Sequence, residues 1–161
     1  MIERRVDYSS ARELERVRKY EHAALARLFD RYYDSVHGFI FALLGDAVAA
    51  EELASLVFQR LLDSLVEITG RGAGLEGWLY TTAFRLAAGR RRATRPKGPA
   101  DALWSLPADE REIIALRLLG GLDAERVAAA TGRPRASVVS AQLRALRRLA
   151  GQHPQAAGGI S

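Results

Sequence analysis

Two blocks of the sequence contain basic residues and no acidic ones, and basic side chains are the groups that bind a polyanion. The first block, residues 77–100, has six basic residues, and the second, residues 126–161, has six more. All but one of them are Arg, whose guanidinium can donate two parallel hydrogen bonds to a phosphate or to the edge of a guanine base. The rest of the chain is acidic overall, so this separation favours two nucleic-acid sites. The alternative is a coding bias towards Arg and Ala on solvated faces.

The second block has the pattern of a helix-turn-helix motif. Asp123 can cap a short helix over residues 124–130, and Thr131–Gly132 can form a tight turn. Pro134 can then open a final helix that runs to about residue 150. A short helix, a turn with Gly and a longer helix with Arg are typical of this DNA-binding motif.

The final helix supplies the side chains for contact with DNA. In such a motif the N-terminal part of the second helix enters the major groove, and nearby basic residues bind phosphates. The candidate residues are Arg135, Ser137, Ser140, Arg144 and Arg147. The apolar residues expected to face the core of this domain are Val138, Leu143, Leu146 and Leu149. The alternative is a small bundle with a solvated Arg face, but the turn residues and the absence of acids favour DNA.

The first block combines aromatic and basic residues. Trp78, Tyr80 and Phe84 precede Arg85 and a run of Arg at residues 90–92. Aromatic rings stack on unpaired bases while Arg follows the backbone, so this pattern suits single-stranded nucleic acid. The alternative is that Trp78 belongs to the core, and we expect it to be at least partly buried.

The chain as a whole is predicted to be all-α. Apolar residues recur at helical spacing, and no alternating β pattern occurs. The expected features are a capping box at Ser10 and Glu13, a helix ending at Gly45, an N-cap at Asp46, a loop over 69–74, a helix over 75–92, a break at 96–99, and a helix from Pro107 to Gly120–Gly121. We predict two small helical domains, 1–95 and 102–151, with a short linker over 96–101 and a disordered tail over 152–161.

Composition excludes several classes of protein. The 161 residues are 48% hydrophobic, which is enough for packed cores. The absence of Cys excludes disulfides and thiol catalysis and is compatible with a reducing cytoplasm. The three His residues lack ligand spacing and no catalytic constellation occurs, so we expect no enzyme, metal or cofactor. No apolar run approaches about 18 residues, and the first residues, MIERRVDYSS, lack the apolar core of a secretory signal, so we expect a cytoplasmic protein without membrane insertion.

Two parts of the chain resemble bacterial RNA polymerase sigma factors of the small extracytoplasmic-function (ECF) group. The start of that family's second region is similar to LARLFDRYYDSVHGFIFALLGDAVAAEELASLVFQRLL, and the segment after it resembles GWLYTTAFRLA. The family's fourth region resembles LWSLPADEREIIALRLLGGLDAERVAAATGRPRASVVSAQLRALRRL. The resemblance covers about residues 23–95 and 102–150, with the two regions in the family's order.

The resemblance implies a role for each domain. The first would bind core RNA polymerase and open the −10 element of promoter DNA, and the second would read the −35 element as duplex. The implied polymerase-binding residues are Glu52, Ser55, Leu56 and Phe58. The implied −10 residues are Trp78, Tyr80, Thr81, Arg85, Arg90, Arg91 and Arg92, and the implied −35 residues are Arg133, Arg135, Ser137, Ser140, Arg144 and Arg147. An anti-sigma factor or another regulatory protein is a further implied partner.

Several positions depart from the family's pattern. Ser55–Leu56 replace a usual Gln-Glu pair, Phe84–Arg85 replace Arg-Asn, Gly89 replaces an Asp, and Val139 replaces a common Lys. These departures motivate a second hypothesis: a sigma-derived regulator that does not initiate transcription and acts through a partner protein or through the helix-turn-helix alone. A helical enzyme is the third hypothesis, and the missing catalytic constellation makes it remote.

The linker also departs from the family, because it is short. About ten residues separate Arg92 from Ala102, and fully extended they reach about 35 Å. The two promoter elements lie about two helical turns apart, or roughly 70 Å. We therefore predict that this protein cannot contact both elements in the ordinary way, and that the two domains pack together.

Overall fold

The computed structural model describes residues 11–68, 74–90 and 99–152, and these ranges contain helices and no strand. The all-α prediction is therefore confirmed. The helices are α1 (Ala11–Arg18), α2 (His22–Leu44), α3 (Ala47–Ile68), α4 (Gly74–Gly89), α5 (Pro99–Trp104), α6 (Ala108–Ile114), α7 (Ala124–Thr131) and α8 (Arg135–Gly151). A π-helical turn, Ala115–Leu119, continues α6. We call α1–α4 the first bundle and α5–α8 the second bundle.

The first bundle is built on α2 and α3, which reverse direction over a two-residue turn. Gly45 ends α2 with a φ of 68°, and its amide donates to the Phe41 carbonyl at 2.7 Å. Asp46 then caps α3, since its Oδ1 accepts from the amides of Val48 and Ala49 at 3.0 and 3.1 Å. This confirms the predicted stop and N-cap. Helix α4 packs against both α2 and α3, with Leu79 fully buried between them.

The second bundle contains the predicted helix-turn-helix. Asp123 caps α7, because its Oδ1 accepts from the Arg126 amide at 2.8 Å. Gly132 ends α7 with a φ of 70°, a left-handed conformation that suits Gly, and α8 begins three residues later. Gly120 closes the π-helical turn, and a Cβ there would lie 2.8 Å from the Leu116 carbonyl oxygen. The sequence pattern thus placed the turns of this bundle correctly.

The residues of α8 that face the core differ in part from the prediction. Val138 is buried and Leu149 partly buried, as expected, but Leu143 and Leu146 are 50% and 39% exposed. Ala141 and Ala145 occupy the core positions instead. The physical reason is that α6 crosses α8 closely, and small side chains at the crossing allow that approach.

The two bundles pack against each other, as the short linker predicts. Helix α4 lies against α7 and the π-helical turn, and α5 lies against α2. The indole Nε1 of Trp104 donates to the Leu43 carbonyl at 3.0 Å, and its ring stacks on Phe84 at a centroid distance of 6.4 Å. From the other side, the Arg111 guanidinium lies 4.5 Å from the Trp104 ring centroid. Trp104 therefore joins the bundles.

Several predicted features fall at or beyond the edges of the described residues. Helix α5 begins at Pro99, inside the segment expected to be a linker. Helix α4 begins at Gly74 and ends at Gly89, and residues 69–73 and 91–98 lie outside the described ranges. Ser10 of the predicted capping box and residues 153–161 of the predicted tail also lie outside them.

Candidate nucleic-acid interface

The exposed face of α8 carries the polar residues predicted for DNA contact. Arg135, Ser137, Ser140 and Arg147 are all exposed. Among the described residues, neither Arg135 nor Arg147 has an acidic side chain within ion-pair distance. Their guanidinium groups are therefore available to an incoming anion. This face projects away from α6, against which α8 packs.

Arg144 sits at the edge of that face and is held by an acidic side chain. Glu110 on α6 is almost fully buried, and its carboxylate lies 3.2 Å from Arg144 Nε and 3.0 Å from Arg148 Nε. Both Arg side chains remain about half exposed. Glu110 lies in the first turn of α6, where the helix dipole also stabilises a negative charge. The pairing fixes α8 on α6 and orients Arg144 at the surface.

Arg133 and Arg85 meet on one carboxylate at the boundary between the bundles. Arg133 Nη2 donates to Glu112 Oε2 at 3.2 Å, and Arg85 Nε lies 3.7 Å from Glu112 Oε1. Arg85 comes from α4 of the first bundle, whereas Arg133 precedes α8. A predicted −10 residue and a predicted −35 residue therefore share the same acidic partner.

A second ion pair crosses the same boundary. Arg126 Nη1 on α7 donates to Glu76 Oε2 on α4 at 2.7 Å. Both side chains are partly exposed, so this pair is worth about 0–1 kcal/mol by itself. Together with Glu112 and Trp104, it forms what we call the clasp: Glu76, Arg126, Arg85, Glu112, Arg133 and Trp104.

Two of the predicted −10 residues are core residues in this structure. Tyr80 is 9% exposed and packs edge-on against Phe39 at 5.2 Å, and Thr81 is 4% exposed. Burial raises the pKa of the Tyr80 phenol, an effect that a hydrogen bond with Ser35 partly opposes. Both side chains are thus buried in this structure, and their contact with DNA stays a prediction. They position α4 from inside the first bundle.

The other predicted −10 residues lie in different environments. Trp78 is half-buried, as expected, and the buried Phe84 lies against Trp104. Arg90 is exposed and its Nη2 donates to Glu52 Oε2 at 2.7 Å. Arg91 and Arg92 lie outside the described residues.

The residues implied for polymerase binding lie on α3. Glu52 and Ser55 are exposed and Leu56 is half-buried. Phe58 is 1% exposed, and its ring packs against Phe29 at 4.4 Å and Tyr33 at 5.6 Å. The Phe58 ring is therefore not accessible in this structure, and its contact with polymerase stays a prediction. Phe58 holds an aromatic cluster on the face that α2 and α3 share.

Several residues of the boundary were absent from the sequence predictions. Glu76, Glu112, Trp104 and Arg111 make their contacts across the bundles or within the second one, and burial lowers the pKa of Arg111. A sequence signal existed only for Trp104, since a Trp next to a short linker is a natural anchor. The acidic partners gave no signal because their Arg partners are up to 50 positions away.

The described residues contain neither a metal-binding cluster nor a membrane-spanning helix. Within the described ranges, no cluster of His, Asp and Glu could hold a metal ion. None of the helices described is long and apolar enough to cross a membrane.

This geometry defines a class: a helical protein in which a helix-turn-helix bundle packs on a second, larger bundle. The model of sigma-70 region 2 matches residues 28–96. The chain is 28% identical over 176 residues to the ECF RNA polymerase sigma factor BldN of Streptomyces coelicolor, a match covering 89% of this chain and 67% of BldN.

Two solved structures share the fold. One is CnrH in complex with the cytosolic domain of CnrY, with a TM-score of 0.74 and 18% identity over 87% of this chain and 94% of that one. The other is the sigma factor RpoE with the anti-sigma factor NepR from Bartonella quintana, with a TM-score of 0.61 and 20% identity over 78% of this chain and 94% of that one. Residues 28–96 thus match sigma-70 region 2, and most of the chain is similar to ECF RNA polymerase sigma factors.

Proposed function

We propose that this chain binds core RNA polymerase and directs it to promoters whose −35 element is read by α8. The observation that carries the proposal is the exposure of Arg135, Ser137, Ser140 and Arg147 on the second helix of a helix-turn-helix. A helix presented in this way fits the major groove, with Ser on base edges and Arg on guanine or phosphate. No acidic residue follows Arg126, and Arg135 and Arg147 supply positive charge for contact with phosphates.

Polymerase docking is assigned to the exposed side of α3. Glu52 and Ser55 offer polar groups there, and half-buried Leu56 adds an apolar contact. Glu52 is also the partner of Arg90, so docking at Glu52 would release an Arg of the first basic block. Binding of polymerase and exposure of a DNA-binding charge are coupled in this way.

Contact with the −10 strand requires the clasp to open. Phe84 and Arg85 are the aromatic and basic residues of α4 that the second bundle covers or pairs. Separation of the bundles exposes Phe84 for base stacking and frees Arg85 for the backbone. Each interbundle ion pair contributes little individually, so polymerase binding can supply the free energy for opening.

The short linker limits how far the two bundles can separate. Only residues 90–98 lie between α4 and α5, and fully extended they reach roughly 30–36 Å. That both promoter elements are not contacted in the ordinary way stays a prediction, and the linker length supports it. A path that avoids the usual route, or a closer spacing of the two elements, is required.

A regulatory partner is part of the proposal. RpoE was solved with an anti-sigma factor and is similar in fold to this chain. We assign this chain a protein partner of that kind, acting in the cytoplasm where RNA polymerase is located.

The test is transcription in a purified system. Core polymerase, this protein and a library of genomic fragments are combined, and transcripts are sequenced. We expect transcripts that depend on the protein, that Arg135→Ala reduces at least tenfold, and that Arg12→Ala on α1 leaves unchanged. Polymerase binding without transcripts would favour a non-initiating regulator, and absence of binding would refute the proposal.

A further inference from the structure

The solvent-facing half of α8 is divided lengthwise into two stripes. At 3.6 residues per turn, Ser137, Ser140, Arg144 and Arg147 follow one side. Val139, Leu143 and Leu146 follow the other, and they are 40%, 50% and 39% exposed. A third, buried side holds Val138, Ala141 and Ala145. The apolar stripe is thus separate from the core and adjoins the polar one.

Neither bundle covers the apolar stripe. The first bundle packs on α7, the π-helical turn and α5, so it does not shield these side chains. Val139 is directly next to exposed Ser140 in sequence and one turn beyond exposed Arg135. An exposed Val in that position lies among the residues that face DNA.

The chemistry of the major groove offers one apolar partner. Of the groups on the base edges there, only the C5-methyl of thymine is apolar. Val139 and Leu143 are the fifth and ninth residues of α8, in the half of the helix whose side chains reach base edges. We propose that Val139, with Leu143 beside it, reads thymine methyl groups in the −35 element.

This proposal rests on the proposed function and adds a specificity to it. Arg135 and Ser140 flank Val139, so the polar contacts place the helix and the apolar contact selects thymine next to them. Burying one methyl group contributes about a fourfold preference for thymine over a base without it. The preference disappears when the facing side chain is shortened, because the methyl group then has no apolar partner.

The experiment uses uracil, which pairs like thymine and lacks the methyl group. Holoenzyme made from core polymerase and the full-length protein selects duplexes from a randomised library. The enriched duplex is then resynthesised with each upstream thymine replaced by uracil, one at a time. Affinity is measured for the wild type, Val139→Ala, Leu143→Ala and Arg147→Ala, after thermal melting confirms that each variant is folded.

We expect uracil at one or two positions to weaken binding by the wild type about fourfold. In Val139→Ala the thymine and uracil duplexes should bind equally, whereas Arg147→Ala should weaken both by the same factor and reduce the salt dependence. Equal affinity of the wild type for all uracil duplexes, or an undiminished uracil effect in both apolar variants, would overturn the proposal. Loss of polymerase binding in Val139→Ala would assign the stripe to a protein contact and would also overturn it. Failure of the holoenzyme to enrich any duplex would instead count against the proposed function.

Discussion

Helices α4 and α8, which carry parts of the two basic blocks, lie in different structural environments. On α8, Arg135 and Arg147 are exposed and unpaired by acidic residues of the described chain, and two Ser residues lie beside them. On α4, Tyr80 and Thr81 are buried and Arg85 is paired with Glu112 of the other bundle. These Arg and Ser side chains of α8 are therefore accessible to a partner, whereas Tyr80 and Thr81 of α4 are not.

The position of each helix explains the difference. Helix α4 is in contact with α2, α3, α7 and the π-helical turn, so most of its faces are occupied. Helix α8 packs on α6 and α7, and half of its surface faces solvent. Similar basic composition therefore does not give similar accessibility, and accessibility follows from how many neighbours a helix has.

Removing the Trp104 side chain should weaken the contact between the two bundles more than any other change considered below. Trp104→Ala loses the hydrogen bond to Leu43, the stacking on Phe84 and the contact with Arg111. We expect a loss of about 2–4 kcal/mol in the free energy of unfolding, measured in urea. Trp104→Phe is the matched control and should lose less, since it keeps an aromatic ring. A loss below 1 kcal/mol for the Ala variant would mean that Trp104 does not hold the bundles together.

A change at Glu110 should affect only the second bundle. Glu110→Gln removes the buried charge that pairs with Arg144 and Arg148. We expect a loss of about 1–3 kcal/mol in stability, measured by thermal melting, because charged hydrogen bonds are lost at a buried site. The control is Glu125→Gln, an exposed position on α7. Equal effects at the two positions would contradict the role of Glu110.

Much of this architecture was predictable because it depends on local chemistry. The caps at Asp46 and Asp123 and the left-handed Gly132 act within a few residues, so the sequence pattern identifies them. Apolar spacing in the same way predicts the helices that position the helix-turn-helix. These signals were enough to place Arg135, Ser137 and Ser140 on an exposed recognition helix.

The rest could not be predicted because it depends on distant partners. Ala145 is buried and the larger Leu143 is exposed, because α6 packs closely on α8 and the smaller side chain fits between them. Thr81 is polar, yet it is buried because α4 is surrounded by other helices. No local pattern contains that information.

Neutralising Glu112 should leave Arg85 of the first basic block less firmly paired and so closer to the unpaired state of Arg135 and Arg147. Glu112→Gln weakens the pairing of both Arg85 and Arg133. We expect a loss of about 0.5–1.5 kcal/mol in stability, because the Arg side chains are partly exposed, and tighter binding to non-specific DNA at low salt. Asp34→Asn, an exposed site on α2, is the control, since it removes one acidic charge far from both Arg side chains. Unchanged DNA affinity in Glu112→Gln would show that the clasp does not withhold these charges.

Replacing Thr81 should have the smallest effect. The Thr81 hydroxyl is buried without a hydrogen-bond partner within the described residues. Thr81→Val keeps the shape and removes that hydroxyl, so we expect a gain of up to about 1 kcal/mol in thermal stability. Transcription should be unchanged. A loss of promoter opening with normal stability would show that Thr81 contacts DNA after all.

The central claim is that the bundles are clasped in the free chain and separate in the promoter complex. The chain has no Cys, so Ala26→Cys on α2 and Ala129→Cys on α7, both exposed, allow two spin labels to be attached selectively. Pulsed electron–electron double resonance then measures the distance between the two spin labels. The account predicts one short distance in the free protein and a longer one in the transcribing holoenzyme on promoter DNA. An unchanged distance in a complex that makes transcripts would contradict it.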